Sequence, residues 1–149
     1  MTNDQVDMHY FTVNNAEISI DHDSWLEYPN IKTSLEKIIG DEEFSILLTN
    51  DTHIQKLNKD FRGQNKPTNV LSFPENDGDY LGDVAIALET MTRESLEQSK
   101  DFYHHFIHMV IHGLLHLQGY DHENDDDAEE MELLEIKILA DIGIENPYI

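Results

Sequence analysis

His112-Gly-Leu-Leu-His116-Leu-Gln-Gly119-Tyr-Asp-His122 sets three histidines at the spacing of a metal site carried on a helix and its closing turn. His112 and His116 are four residues apart, so on a helix they lie one above the other, within reach of a single ion. Gly119 can take the left-handed backbone conformation that ends a helix. A turn there carries His122 back toward the other two rings. Three imidazole nitrogens with a fourth position open to water describe a catalytic zinc rather than a structural one. Histidines on a helix can also serve packing alone: the chain has nine, and His104, His108, His112 and His116 recur with period four. The third histidine, just past a helix-ending glycine, separates the metal reading from that plainer one. His104 and His108 are assigned to packing or to hydrogen bonds behind the ligands, and His105 to another face.

The string also fits the H-x-x-x-H-x-x-G-x-x-H frame of the metzincin proteases, with one departure. Those proteases carry Glu directly after the first histidine as general base, whereas this chain has Gly113. Without that carboxylate, peptide hydrolysis by the usual zincin route lacks its proton acceptor. Glycine inside a helix costs about 1 kcal/mol against alanine, so a space requirement beside the metal is the expected reason for Gly113. The frame says metal hydrolase, and the missing Glu argues against a protease.

At 149 residues, with 39% hydrophobic and 9% aromatic content, the chain is expected to fold as one globular domain over residues 1–149. No apolar run approaches the ~20 residues of a membrane span. The first residues, Met1 to Asp7, lack the basic start and apolar stretch of a signal peptide, so a cytoplasmic protein is expected. The absence of cysteine leaves histidine and carboxylate as metal ligands. The formal net charge is −22, which on average repels nucleic acid. Its distribution is uneven. Asp121 to Glu135 holds nine acidic residues and no basic one, while Lys56, Lys59, Arg62 and Lys66 crowd into eleven residues opposed only by Asp60. Such a basic patch can bind phosphate with strong salt dependence.

The periodicities describe a mixed domain. Val6–Val13 alternates as a first strand, and Ile31, Leu35, Ile38 and Ile39 have helical spacing closed by Gly40. Phe44–Thr49 reads as a strand, and Asn50 or Asp51 caps a helix that buries Ile54, Leu57 and Phe61. A turn over Gly63–Pro67 leads to a strand at Asn69–Phe73 stopped by Pro74, a polar loop at Glu75–Asp79, and a strand at Tyr80–Leu88. Glu89–Leu117 is helical but long, which predicts a break near Ser99–Asp101 ahead of the histidine helix. A last helix starts near Asp126 and buries Met131, Leu134, Ile138 and Ile142, with Asp126-Asp-Ala-Glu129 as its capping-box-like start. Much of the acidic run thereby has a structural role at a helix N-terminus.

Upstream, Arg62-Gly-Gln-Asn-Lys-Pro67-Thr-Asn69-Val-Leu-Ser-Phe-Pro74 sets polar groups against an apolar strand. Arg62 either complements the dipole at a helix end or forms a fork that binds phosphate near the metal. The stretch alone leaves both open. Taken together, Arg62-Gly, Pro67 to Pro74, Leu81-Gly-Asp83 and the His112–His122 string resemble the bacterial YbeY family of metal-dependent endoribonucleases. The resemblance runs from about Phe44 to Glu145-Asn-Pro147-Tyr-Ile149.

That resemblance implies a small α+β fold: a mixed, about four-stranded sheet packed with helices, with a zincin-like metal helix lining a cleft. It implies one zinc per chain on His112, His116 and His122, with Arg62 and His116 as catalytic residues and Arg62 on the scissile phosphate. It further implies a single-strand-specific endoribonuclease that matures the 3′ end of 16S rRNA and takes part in ribosome quality control. Its partners would be RNA of the small ribosomal subunit and a ribosome-associated protein, with no membrane or DNA. Asp121 is the candidate acceptor for an N–H of a ligand imidazole. Three histidines also suit nickel, copper or iron. Two other functions fit the residues: a zinc hydrolase of another substrate, or a ribosome-assembly adaptor with a mainly structural metal.

Overall fold

Tyr10–Val13 (β1) and Ala16–Ile20 (β2) form an antiparallel hairpin across Asn14-Asn15, where Asn14 has φ of 53°, the left-handed conformation that tight hairpin turns favour. The computed structural model describes residues 9–75 and 78–149, so residues 6–8 of the expected first strand and 76–77 of the expected polar loop lie outside it. A short 3₁₀ turn at Asp23–Glu27 and helix α1 (Ile31–Glu36) then lead to β3 (Glu43–Thr49). Helix α2 (Asp51–Arg62), β4 (Val70–Pro74), β5 (Tyr80–Ala87), α3 (Leu88–Glu97), α4 (Phe102–Leu117) and α5 (Asp125–Asp141) complete the order.

The strands make one five-stranded sheet in the order β1-β2-β3-β5-β4. β3 runs parallel to β2 and β5, while β1 and β4 are antiparallel edges. The expected α+β fold is present, with one strand more than the four expected. The extra strand is β2, whose Ala16 and Ile18 are fully buried while Glu17 faces solvent. Its Ala-Glu-Ile-Ser-Ile sequence carries the period-2 pattern, but a five-residue strand gains its stability from neighbours on both sides.

Helix ends follow their caps. Asn50 accepts from the backbone N–H of His53 at the start of α2. Asp101 accepts from Tyr103 and His104 at the start of α4, and Asn124 from Asp127 at the start of α5. The predicted break between α3 and α4 occurs at Ser99, which has φ of 54°. Asp125, Asp126 and Asp127 occupy the first turn of α5, the structural role foreseen for part of the acidic run.

Eleven of the sixteen residues of α4 are buried, so this helix is apolar on most sides and forms the centre of the core. Phe106 sits against Trp25 with ring centroids 5.6 Å apart, and the Trp25 indole N–H donates to the Thr49 carbonyl at 2.8 Å. Two predicted faces are rotated. On α2, Ile54 is buried and Leu57 half-buried, but Phe61 is 69% exposed and meets Phe73 of edge strand β4 edge-on at 5.4 Å. Asn58 is buried instead, its amide donating to the Lys66 carbonyl. On α5 the fully buried line is Met131, Glu135 and Leu139, with Leu134, Ile138 and Ile142 half-buried beside it.

Gly113 marks where α4 meets the sheet most closely. A Cβ there would lie 2.8 Å from Cγ1 of Val84 and 3.3 Å from Oγ of Ser72, whose hydroxyl donates to the Gly113 carbonyl at 3.1 Å. The space that glycine provides is therefore taken by the sheet rather than by a metal. Gly113→Ala gains about 1 kcal/mol of helix propensity but overpacks the contact with β-branched Val84, which costs about 1–3 kcal/mol. The overpacking term wins. The expected result is a lower midpoint in urea denaturation, partly restored by adding Val84→Ala.

Candidate metal centre

Helix α4 supplies His112 and His116, and the turn after it supplies His122. Gly119 has φ of +100°, and the Tyr120 N–H closes back on the Leu115 carbonyl at 3.0 Å. This reverses the chain and lays the His122 ring 5.0 Å from that of His116 and 5.7 Å from that of His112, centroid to centroid. One nitrogen from each ring falls within 4.8 Å of the others, so the three together could hold a metal ion.

Hydrogen bonds fix which nitrogens face one another. His112 Nδ1 lies 2.8 Å from Oε2 of Glu135, and His116 Nδ1 lies 3.0 Å from the Tyr120 carbonyl. A carboxylate and a carbonyl only accept, so both Nδ1 atoms carry the hydrogen and both Nε2 atoms keep a lone pair. Those two Nε2 atoms stand 3.1 Å apart. Two lone pairs at that separation repel unless a cation lies between them, and the donor set therefore fits a metal. Burial, and then the proximity of the His112 and His122 rings, push His116 below the usual imidazole pKa, which keeps its lone pair available.

Glu135 is the decisive partner, and it is not the one expected. Asp121 caps its own neighbour, accepting from the His122 backbone N–H at 2.6 Å, and contacts no ligand ring by hydrogen bond. The acceptors for the ligand N–H groups are instead Glu135 and the Tyr120 carbonyl. The Glu135 carboxylate also accepts from His108 Nε2 at 2.6 Å and from the Tyr148 hydroxyl at 2.5 Å. Burial alone would raise its pKa, but the bonds from His108, His112 and Tyr148 outweigh it and hold the carboxyl at about 2. His108 thus stands behind the ligands as expected. His104 is exposed, and His105 turns to Glu94 at 2.8 Å.

The three rings open on a cleft of about 610 Å³ that is also lined by Arg62, Thr68, Asn69, Ser72 and Tyr120. Arg62 is exposed in the last turn of α2, and among the described residues no carboxylate pairs with its guanidinium. Lys56, Lys59 and Lys66 are exposed on the same helix and the loop after it, while Asp121 and Glu123 also line the cleft. Arg62, His112, His116 and His122 therefore share one cavity.

Residues 3–143 match the family model described as Endoribonuclease YbeY. The chain belongs to the endoribonuclease YbeY family. A relative named Endoribonuclease YbeY from Bradyrhizobium diazoefficiens is 52% identical over 125 residues, which is 77% of this chain and 68% of the relative. One of the same name from Ruthia magnifica subsp. Calyptogena magnifica is 49% identical over 140 residues, covering 87% and 97%. The solution structure of TM1509 from Thermotoga maritima superimposes with a TM-score of 0.55 at 30% identity, covering 84% of this chain and 91% of that one.

Within this YbeY-family chain, Glu135 went unforeseen because it reads as one more acid in an acidic run. Its signal lies in spacing: Met131, Glu135 and Leu139 are four apart, so a carboxylate occupies an apolar line of α5. Tyr148 fell within the family resemblance, but nothing in the sequence pointed to its contact with Glu135. A metal centre of this design predicts about one metal ion per chain by elemental analysis, lost in His116→Ala. Glu135→Gln should fold yet bind zinc about 10–100-fold more weakly in a chelator competition, the usual contribution of a partner behind a ligand histidine.

Proposed function

We propose that this chain is a zinc-dependent endoribonuclease that cuts single-stranded RNA, with His112, His116 and His122 holding one zinc and Arg62 engaging the scissile phosphate. The observation that carries this reading is the meeting of three lone-pair nitrogens and an unpaired guanidinium around one cleft. Family membership supplies the reaction class. Zinc suits three neutral imidazoles in a chain without cysteine.

When bound, the zinc would supply a Lewis acid for the phosphodiester group. The rest of the chemistry belongs to the chain. Arg62 presents a planar fork that can donate to two phosphate oxygens at once and meet the negative charge that grows on them during cleavage. Glu135 and the Tyr120 carbonyl hold the His112 and His116 rings in the tautomer that leaves Nε2 toward the cleft. Lys56, Lys59 and Lys66, exposed on α2 and the loop after it, add positive charge near Arg62 that a phosphate backbone can meet.

The substrate in this reading is rRNA of the small ribosomal subunit, cut during maturation of the 16S 3′ end and in ribosome quality control, in the cytoplasm. A net charge of −22 disfavours unaided capture of RNA, so a ribosome-associated protein partner supplies the site selection. No helix among the described residues is long and apolar enough to cross a membrane.

Arg62→Ala tests the assignment. Cleavage of a single-stranded fragment of small-subunit rRNA should fall about 100- to 1000-fold, as when one donor to developing charge is removed, with zinc content and thermal midpoint unchanged. Arg62→Lys should recover only part of the rate, because a point charge cannot replace the fork. Undiminished cleavage by Arg62→Ala would refute the role given to Arg62. Retained ribosome binding with no cleavage by the wild type would favour an adaptor.

A further inference from the structure

The third donor to Glu135 comes from outside the metal helix. Tyr148 lies in the segment after α5, and its hydroxyl reaches the same Oε1 atom that His108 holds. Its ring stands edge-on to His108 with centroids 5.5 Å apart. The segment is itself tied down, since Lys100 donates from Nζ to the Pro147 carbonyl at 2.8 Å and Asn146 accepts from the Tyr148 N–H. Tyr148 as a whole is 45% exposed, yet its hydroxyl bonds a carboxylate on a residue at 0% exposure.

We propose that Tyr148 is a positioning residue for the metal centre: its hydroxyl fixes the Glu135 carboxylate so that Oε2 holds His112 with Nε2 turned to the cleft. The proposal rests on the metal reading given above. The terminal torsion of a glutamate is soft, and a carboxylate held at one oxygen can rotate about it. With His112 on Oε2 and both His108 and Tyr148 on Oε1, the carboxylate plane is set from three directions. Removing the Tyr148 hydroxyl leaves both remaining donors on α4 and takes away the one that comes from the segment after α5. The His112 ring keeps its bond to Oε2 but is held less firmly, although none of the three histidines has been altered.

The test is a titration of metal-free protein with Co²⁺, whose visible absorption reports the geometry of its ligands. Tyr148→Phe removes one oxygen atom and is expected to bind Co²⁺ about tenfold more weakly, at the lower end of what partners outside the ligand set contribute. Its visible bands should also shift relative to wild type. Tyr80→Phe serves as control, because it removes a hydroxyl bonded to Asp83 and Ser45, neither of which lines the metal cleft. That variant should bind Co²⁺ as wild type does, and thermal melts of both variants read folding separately. Unchanged affinity and bands in Tyr148→Phe overturn the proposal, as does an equal loss in Tyr80→Phe, which would mark a general loosening. A wild type that takes up no Co²⁺ overturns the metal reading itself, and the proposal with it.

Discussion

The Glu135 carboxylate is buried between α4 and α5 at 0% exposure, and the geometry of the site depends on how that charge is satisfied. An ionised carboxylate out of water costs several kcal/mol unless donors replace its hydration. Here two imidazoles and a phenol do so, and the carboxyl stays ionised well into acid despite its burial. Because His108 and His112 both lie on α4 and Glu135 on α5, the bonds set the rotation and height of one helix against the other. The same bonds set the tautomer of His112. A single buried charge thereby links helix packing to the direction of a ligand lone pair.

A second constraint places that helix relative to the rest of the cleft. Gly113 lets α4 approach β4 and β5 until only a hydrogen fits between its Cα and Val84, and the Ser72 hydroxyl bonds the helix carbonyl across the contact. Ser72 lies on β4, the edge strand that follows α2 and its terminal Arg62. The short loop from Arg62 to Val70 leaves the guanidinium and the histidine rings on the walls of one cavity. Its basic lining residue, Arg62, comes from α2 and its acidic ones, Asp121 and Glu123, from the turn leading to α5.

Much of this was legible in the residues. The spacing of His112, His116 and His122 around Gly119 predicts the cluster because i,i+4 geometry and a left-handed turn are local properties. The Asn50 cap was legible because caps act over three residues, whereas α5 starts at the Asn124 cap, just ahead of the capping-box start read at Asp126. The strand Ala16–Ile20 carries the alternating pattern, but a five-residue stretch that gains half of its pairing from β3, more than twenty residues away, was not read as a strand. Phe61 looked buried because it continues the Ile54–Leu57 stripe, but edge strand β4 covers only part of that face. Asp121 looked like the ligand's partner because it is adjacent in sequence, whereas its carboxylate is taken by its own neighbour's N–H.

By itself, the amino-acid sequence determined the family, the helix that carries His112 and His116, the turn that returns His122, and the basic stretch around Arg62. The family rests on motifs spread from Arg62 to His122, and each of the others on interactions within a short stretch of the chain. Only the tertiary structure decided that Glu135 and Tyr148 stand behind His112, and that Gly113 makes room for the sheet rather than for the metal. The reason is physical: hydrogen bonds to a buried carboxylate, and the space left by a missing Cβ, depend on elements far apart in the chain. Their partners are named only once the helices have packed.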